Sequence, residues 1–290
     1  MIEHPSHKDE SELRSFWKDV FHDSEGVVDL FFSNTYSKDS SLIYRTGGTI
    51  GSMIFFPEFD FIQGNQWSKL GYLCGAATLP EYRNKGIMGQ LLNRSVDIMR
   101  ERGNEYAALI PASDSLYNYY ERFGFRDFFY RKKYSVRRSD SLPGHTIILE
   151  GKFDFVNIYK IYYDAVSVLQ SAVVHSVKSY ETAIADIYLS GGEVLTSEDS
   201  KLYCFVIRDG SAIFLKEMFC SLTGYDPYPD LIKSLFEYYP EADTIFVEGP
   251  VEIVKADSLL FRTGMLKSLS GNHYSDLPAG TTGYMNRVGE

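Results

Sequence analysis

Apolar residues recur three and four apart over residues 11–21 and 25–35, which predicts two amphipathic helices at the start of the chain. The period then changes. Residues 41–46 and 49–61 flank the Gly47-Gly48 pair and residues 67–79 follow; bounded by turn residues, these runs predict three strands joined by turns. Beyond them Met88, Leu92, Val96 and Met99 share one helical face; that helix runs to about Arg102 and Gly103 closes it. Residues 106–111 read as a short buried strand, Ser113 or Asp114 caps a helix through Phe123 that Gly124 stops, and residues 128–137 form a closing strand. This order predicts an α+β fold, a mixed and mostly antiparallel sheet flanked by helices.

Past a short linker at residues 139–144 the order recurs more loosely. Residues 203–208 and 211–220 form a hairpin about Asp209-Gly210, a helix spans 229–239 and a strand 244–248. Phe261-Arg262-Thr263-Gly264-Met265 echoes Glu121-Arg122-Phe123-Gly124-Phe125. The second half therefore reads as a diverged copy of the first, with domains at 1–140 and 141–290.

Composition narrows the class. With 290 residues, 44% hydrophobic and 15% aromatic, the chain has enough apolar surface to offset chain entropy, which excludes general disorder. Its apolar runs are too short for a bilayer span and its first ten residues are polar and acidic, so a soluble cytoplasmic protein is expected. Three widely separated cysteines, Cys74, Cys204 and Cys220, suggest small buried hydrophobes, and the six histidines show no ligand spacing; no metal is expected. The net charge of -10 sits almost wholly in residues 141–290, which argues against nucleic-acid and anionic-membrane partners and favours a cationic small molecule or basic peptide. Homo-oligomerisation is left open.

The chemistry concentrates at Pro80-Glu81-Tyr82-Arg83-Asn84-Lys85-Gly86-Ile87-Met88-Gly89, between a strand and a helix. A helix start offers free N–H groups and the positive end of its dipole to an anion such as phosphate. Gly86 lets backbone approach closely, and Arg83 and Lys85 add charge. An ordinary strand-to-helix connection explains the same residues.

Arg83-Asn84-Lys85-Gly86-Ile87-Met88, together with Tyr120-Glu121-Arg122-Phe123-Gly124-Phe125 one helix and one strand later, resembles the GCN5-related N-acetyltransferase family. Met88 departs from the small residue usual there. Gly-Ile-Met, the segment IPASDSLYNYYERFGF and the second copy look like the branch containing the enhanced intracellular survival acetyltransferases, without their sterol-carrier-like third domain.

The resemblance implies an acetyl-CoA-dependent N-acetyltransferase. Ala76, Ala77 and Thr78 would hold the pantetheine arm by their backbone, with Gly75 marking a bulge. Arg83, Asn84, Lys85, Gly86, Ile87, Met88 and Gly89 would cradle the pyrophosphate, Ser113 is a further cofactor contact, and Tyr120 would protonate the leaving thiolate. For the base, the resemblance suggests the terminal Glu290, with Glu58 and Asp60 as alternatives. A small cationic amine is the expected acceptor; an acyl-CoA sensor with little turnover and a peptide or protein acetyltransferase are the competing readings. The second copy lacks a basic glycine loop and has Leu260 where the first has Tyr120, so one active centre is expected.

Overall fold

The computed structural model describes residues 1–140, 143–251, 253–254, 258–270 and 283–285. The first half runs β1 (Ile2–Glu3), α1 (Glu10–Phe21), α2 (Glu25–Asn34), β2 (Ser41–Thr46), β3 (Thr49–Phe55), β4 (Glu58–Gln63), β5 (Gln66–Thr78), α3 (Ile87–Glu101), β6 (Tyr106–Leu109), α4 (Asp114–Glu121) and β7 (Arg126–Arg137). The second runs β8 (Leu149–Glu150), α5 (Phe155–Val166), β9 (Ser171–Val174), α6 (Val177–Leu189), β10 (Gly192–Ser197), β11 (Leu202–Asp209), β12 (Ala212–Cys220), α7 (Tyr228–Tyr238), β13 (Thr244–Pro250) and β14 (Leu259–Ser268).

Two expectations need correction. The strand expected over 49–61 is two, because Pro57 has no N–H for the ladder. β3 and β4 consequently pair with different stretches of the long β5, β3 with Cys74 to Thr78 and β4 with Gln66 to Gly71. The echo at Phe261 to Met265 lies inside β14, whereas Glu121 to Phe125 is a helix end and turn, so the matching of Leu260 with Tyr120 fails.

In each half two helices precede antiparallel strands, and a helix then crosses over to a parallel strand: β5 to β6 through α3, β12 to β13 through α7. The closing strands are exchanged. β14 pairs with both β6 and β7, and β7 pairs with β13, giving one sheet ordered β1-β2-β3-β5-β6-β14-β7-β13-β12-β11-β10-β8, with β4 against β5 and β9.

On one face of the first half, Leu91, Leu92, Val96 and Met99 of α3 pack with Leu73, Leu109, Tyr120 and Phe125. On the other, Leu13, Phe16 and Trp17 of α1 and Phe31 and Phe32 of α2 cover Ile43, Met53 and Phe55. Residues 283–285 join the halves: the Gly283 N–H donates to Phe128 O at 2.9 Å and the Tyr284 N–H to Ser171 O at 2.8 Å.

Behind that suture lies a buried polar cluster. The Glu217 carboxylate accepts hydroxyls from Tyr180 at 2.8 Å, Tyr203 at 2.9 Å and Tyr284 at 2.8 Å. Burial raises its pKa, opposed by those three donors and by Arg131. Beside it His175, 1% exposed, contacts the rings of Phe59, Tyr162 and Tyr180, and among the described residues neither of its ring nitrogens has a hydrogen-bond partner.

Burial lowers the His175 pKa to about 4 from 6.5, so folding favours the neutral ring. That contribution is present above the unfolded value and is lost as pH falls through the folded one. Between pH 7.5 and 5.0, urea unfolding should show His175→Phe losing about 2 kcal/mol less stability than the wild type. Equal losses would show that His175 carries none of the acid sensitivity.

Candidate active site

β5 and β6 run parallel and in register from Leu70 opposite Tyr106 to Leu73 opposite Leu109, and then part. Two sequence features force the parting. On β6 the chain turns away through Ile110 and Pro111, and on β5 the pairing with β3 slips between Met53 and Phe55, where Gly75 takes φ +55. The expected bulge is therefore present. A Cβ at Gly75 would lie 2.5 Å from Phe55 Cδ2 and 2.6 Å from Trp17 Cζ3, so neither shape nor dihedral admits a side chain.

The parting opens a cavity of about 380 Å³. Cys74, Gly75 and Ala76 line one wall, and Ile110, Pro111 and Ala112 another. Tyr120 of α4 faces into it, its ring edge-on to those of Tyr119 and Phe125. Burial, with a smaller contribution from Tyr119, pushes the Tyr120 phenol up to about 12, so it stays protonated across the neutral range. Cys74 on the same wall is raised to about 12 by burial alone.

The other expected residues fall around this cavity. Ala77 turns into the core beneath α1 and α2, and its carbonyl accepts Ser52 Oγ at 2.8 Å. Thr78 Oγ1 pairs with Ser52 Oγ at 2.8 Å, and its carbonyl accepts Arg83 Nε at 2.9 Å, which ties the glycine loop to the strand end. Asn84 and Gly86 adopt left-handed conformations, φ 61 and 72, and turn the chain into α3. Lys85 Nζ sits 5.4 Å from the Tyr82 ring centroid.

No side chain caps α3 at Gly86, so the N–H groups of Ile87, Met88 and Gly89 are free of the helix's own ladder. Ile87 is buried, and Met88 packs on the core of α3, which gives its bulk a place off the loop surface. Ser113 is the residue before α4, its Oγ 3.0 Å from Ser115 Oγ rather than bonded to the helix backbone.

Glu58 and Asp60 have other work: Lys69 bridges to both, and Asn104 Nδ2 donates to Glu58 Oε2 at 2.9 Å. Neither lines the cavity. Glu290 lies outside the described residues. The carboxylate that does line the cavity is Asp23, one of whose oxygens accepts Trp17 Nε1 at 2.7 Å. Trp17, Phe21, Asp23 and Tyr72 were not singled out from sequence; they read as the apolar face of α1, its trailing turn and a strand, with no motif to mark them. Among the described residues no group of three or more His, Cys, Asp or Glu gathers as a metal site would need.

β14 braces the helix that carries Tyr120. Arg262 lies 3.7 Å over the Tyr117 ring and bridges to Asp114 at 3.1 Å and Asp127 at 3.2 Å. Lys267 Nζ donates to Phe123 O at 2.7 Å. The second half thus holds α4 in place even though its own crossover, residues 221–227, carries Asp226 and no Lys or Arg.

Residues 2–127 match the family model described as Acetyltransferase (GNAT) domain. Residues 2–127 carry that domain, and the protein is an acyltransferase. No curated protein matches the chain. Among solved structures, a probable N-acyltransferase from Enterococcus faecalis V583 is similar, with TM-score 0.76, 10% identity, 93% of this chain and 72% of that one covered. A GCN5-related N-acetyltransferase from Anabaena variabilis gives TM-score 0.72 at 14% identity, covering 93% and 72%. Eis1 from Mycobacterium abscessus gives 0.69 at 13%, covering 93% and 74%. At these identities the likeness is one of fold. Among the described residues no helix is long and apolar enough to cross a membrane.

Gly75→Ala should destabilise the protein by about 2 kcal/mol or more, because the new methyl group meets two buried rings at a φ that disfavours it. Arg262→Ala, which removes a partly exposed ion pair, should cost about 1 kcal/mol or less. Chemical denaturation of both variants tests the ranking; Arg262→Ala as the more damaging change would refute it.

Proposed function

We propose that the protein transfers an acetyl group from acetyl-CoA to the primary amine of a small cationic acceptor, by direct attack within a ternary complex. One observation carries the reading: Tyr120 faces a cavity opened where β5 leaves β6, beside an uncapped helix start that follows the same strand. A pantetheine arm can add to the unpaired edge of β5 as a further strand would, and the pyrophosphate can take the free N–H groups at Ile87, Met88 and Gly89 with Arg83 and Lys85 beside them. Of the cofactor contacts expected on β5, Ala76 suits the arm best, since the carbonyls of Ala77 and Thr78 already accept Ser52 and Arg83. In this reading residues 1–140 are the catalytic domain, and residues 141–290 are a degenerate copy that shapes the acceptor side.

In the reaction a neutral amine attacks the thioester carbonyl, the carbon–nitrogen bond forms, and the carbon–sulfur bond breaks. The amine proton leaves to a base, and Tyr120 hydrogen-bonds and protonates the departing sulfur. Strand N–H groups beyond Leu73 stabilise the oxyanion.

Tyr120→Phe should bind acetyl-CoA as the wild type does, measured by calorimetry, while CoA release on a panel of aminoglycosides, polyamines, amino acids and basic peptides falls at least about tenfold. Unchanged turnover on every accepted amine would remove Tyr120 from the role.

A further inference from the structure

The cavity reaches both faces of the sheet where the strands part, and the two faces differ in chemistry. Leu73, Leu92, Leu109 and Tyr120 belong to the packing of α3 and α4, the side on which the glycine loop enters its helix. A cofactor arm arrives from that side. Trp17, Phe21, Asp23 and Tyr72 line the other: the first three come from the later turns of α1 and the residues after it, and Tyr72 packs on the face of β5 opposite Leu73. The space of about 380 Å³ also has to hold the end of the arm, so what remains suits a small acceptor.

Among the described residues that line the cavity, Asp23 alone carries a charge. Its Oδ2 accepts Trp17 Nε1 at 2.7 Å, which fixes the carboxylate at the edge of the indole, and its Oδ1 has no partner among the described residues. The rest of this side is aromatic. Phe21, still 37% exposed, has its ring centroid 5.0 Å from that of Trp17, and Tyr72 stands edge-on to Phe59 with centroids 6.0 Å apart.

A fixed carboxylate with one open oxygen suits one ammonium group. A second ammonium in the same chamber would give up water without a carboxylate to meet it, which is costly. The aromatic walls offer apolar area to a hydrocarbon body, and rings pack on rings better than on plain chain. Resting on the acetyl-transfer reading above, we infer that the acceptor is an arylalkylamine, a primary amine with one positive charge and an aromatic ring on a short aliphatic arm. Asp23 draws its nitrogen, and Phe21 and Tyr72 take its ring. Polyamines and aminoglycosides carry several charges and no aromatic ring, and match the chamber less well.

The test measures CoA release from acetyl-CoA on 2-phenylethylamine, butylamine and spermidine, with wild type, Phe21→Ala, Phe21→Leu and Asp23→Asn. In wild type, kcat/KM for 2-phenylethylamine should exceed that for butylamine and that for spermidine by at least about tenfold, because its ring is buried in the complex. Phe21→Ala should cut the preference over butylamine to about twofold, chiefly through KM, and Phe21→Leu should keep part of it. Asp23→Asn should raise KM about tenfold for both monoamines and leave their ratio as in wild type. A ratio of two substrates on one preparation is insensitive to partial unfolding, so a loss of stability cannot imitate these results. Spermidine used as efficiently as 2-phenylethylamine by wild type would overturn the inference while leaving acetyl transfer standing. So would a preference that survives Phe21→Ala intact, or Asp23→Asn kinetics equal to wild type. Absence of CoA release from wild type on these amines and on the wider panel would sink the acetyl-transfer reading, and this inference with it.

Discussion

The parting of β5 from β6 is the constraint on which the site depends. Up to Leu73 and Leu109 the two strands satisfy one another, and beyond that point the β6-facing backbone groups of β5 have no strand to pair with among the described residues. Gly75 makes the parting permanent, because its left-handed turn is wedged against Phe55 and Trp17 and cannot relax into a regular ladder without displacing both rings. The two motifs follow from the same event. The glycine loop leaves the end of β5, α4 leaves the end of β6, and so the uncapped start of α3 and the Tyr120 hydroxyl end up on either side of one opening.

The second half contributes less chemistry and more geometry. By exchanging closing strands, the halves place β14 against β6, on the side away from the cavity, so β6 is held between two partners while its end is free to diverge. Arg262 and Lys267 then anchor both ends of α4, at Asp114 and at Phe123. A duplicated fold with independent closing strands would leave α4 resting on the first-half core alone. Exchange makes the orientation of the tyrosine a property of both halves, and the same approach of the halves brings α6 against α2.

Much of this was legible in sequence where it depended on local period and turn chemistry. The helices of the first half, α7, the β11–β12 hairpin and the bulge at Gly75 follow from side-chain periodicity and from glycines where the chain must turn left-handed, whereas α5, α6 and β8 to β10 were not read from sequence. Pro57 was a visible breaker inside an apolar run whose continuity outweighed it. β14 was hidden for a different reason: Arg262-Thr263-Gly264 looks like a helix stop, and only pairing with β6 and β7, over a hundred residues away, makes it a strand. Asp23 carries no motif at all. Its place on the cavity wall with Tyr72 and Tyr120 is a long-range fact that no window of sequence contains.

The high proton affinity of Tyr120 looks at first like a poor match to its proposed task. A phenol near 12 is a much weaker acid than a thiol in water, for which about 8.5 is ordinary. The cavity, however, acts on both partners. Cys74 on the same wall shows what this environment does to a thiol: burial lifts it to about 12, level with the phenol. A cofactor sulfur leaving into the same apolar pocket loses its water and becomes more basic as its charge develops, so proton transfer from Tyr120 approaches balance only once the carbon–sulfur bond is breaking. In the ground state the phenol keeps its proton. The pocket that makes Tyr120 a weak acid also makes the leaving thiolate a strong enough base to need it, which ties the proton's movement to the bond cleavage it assists.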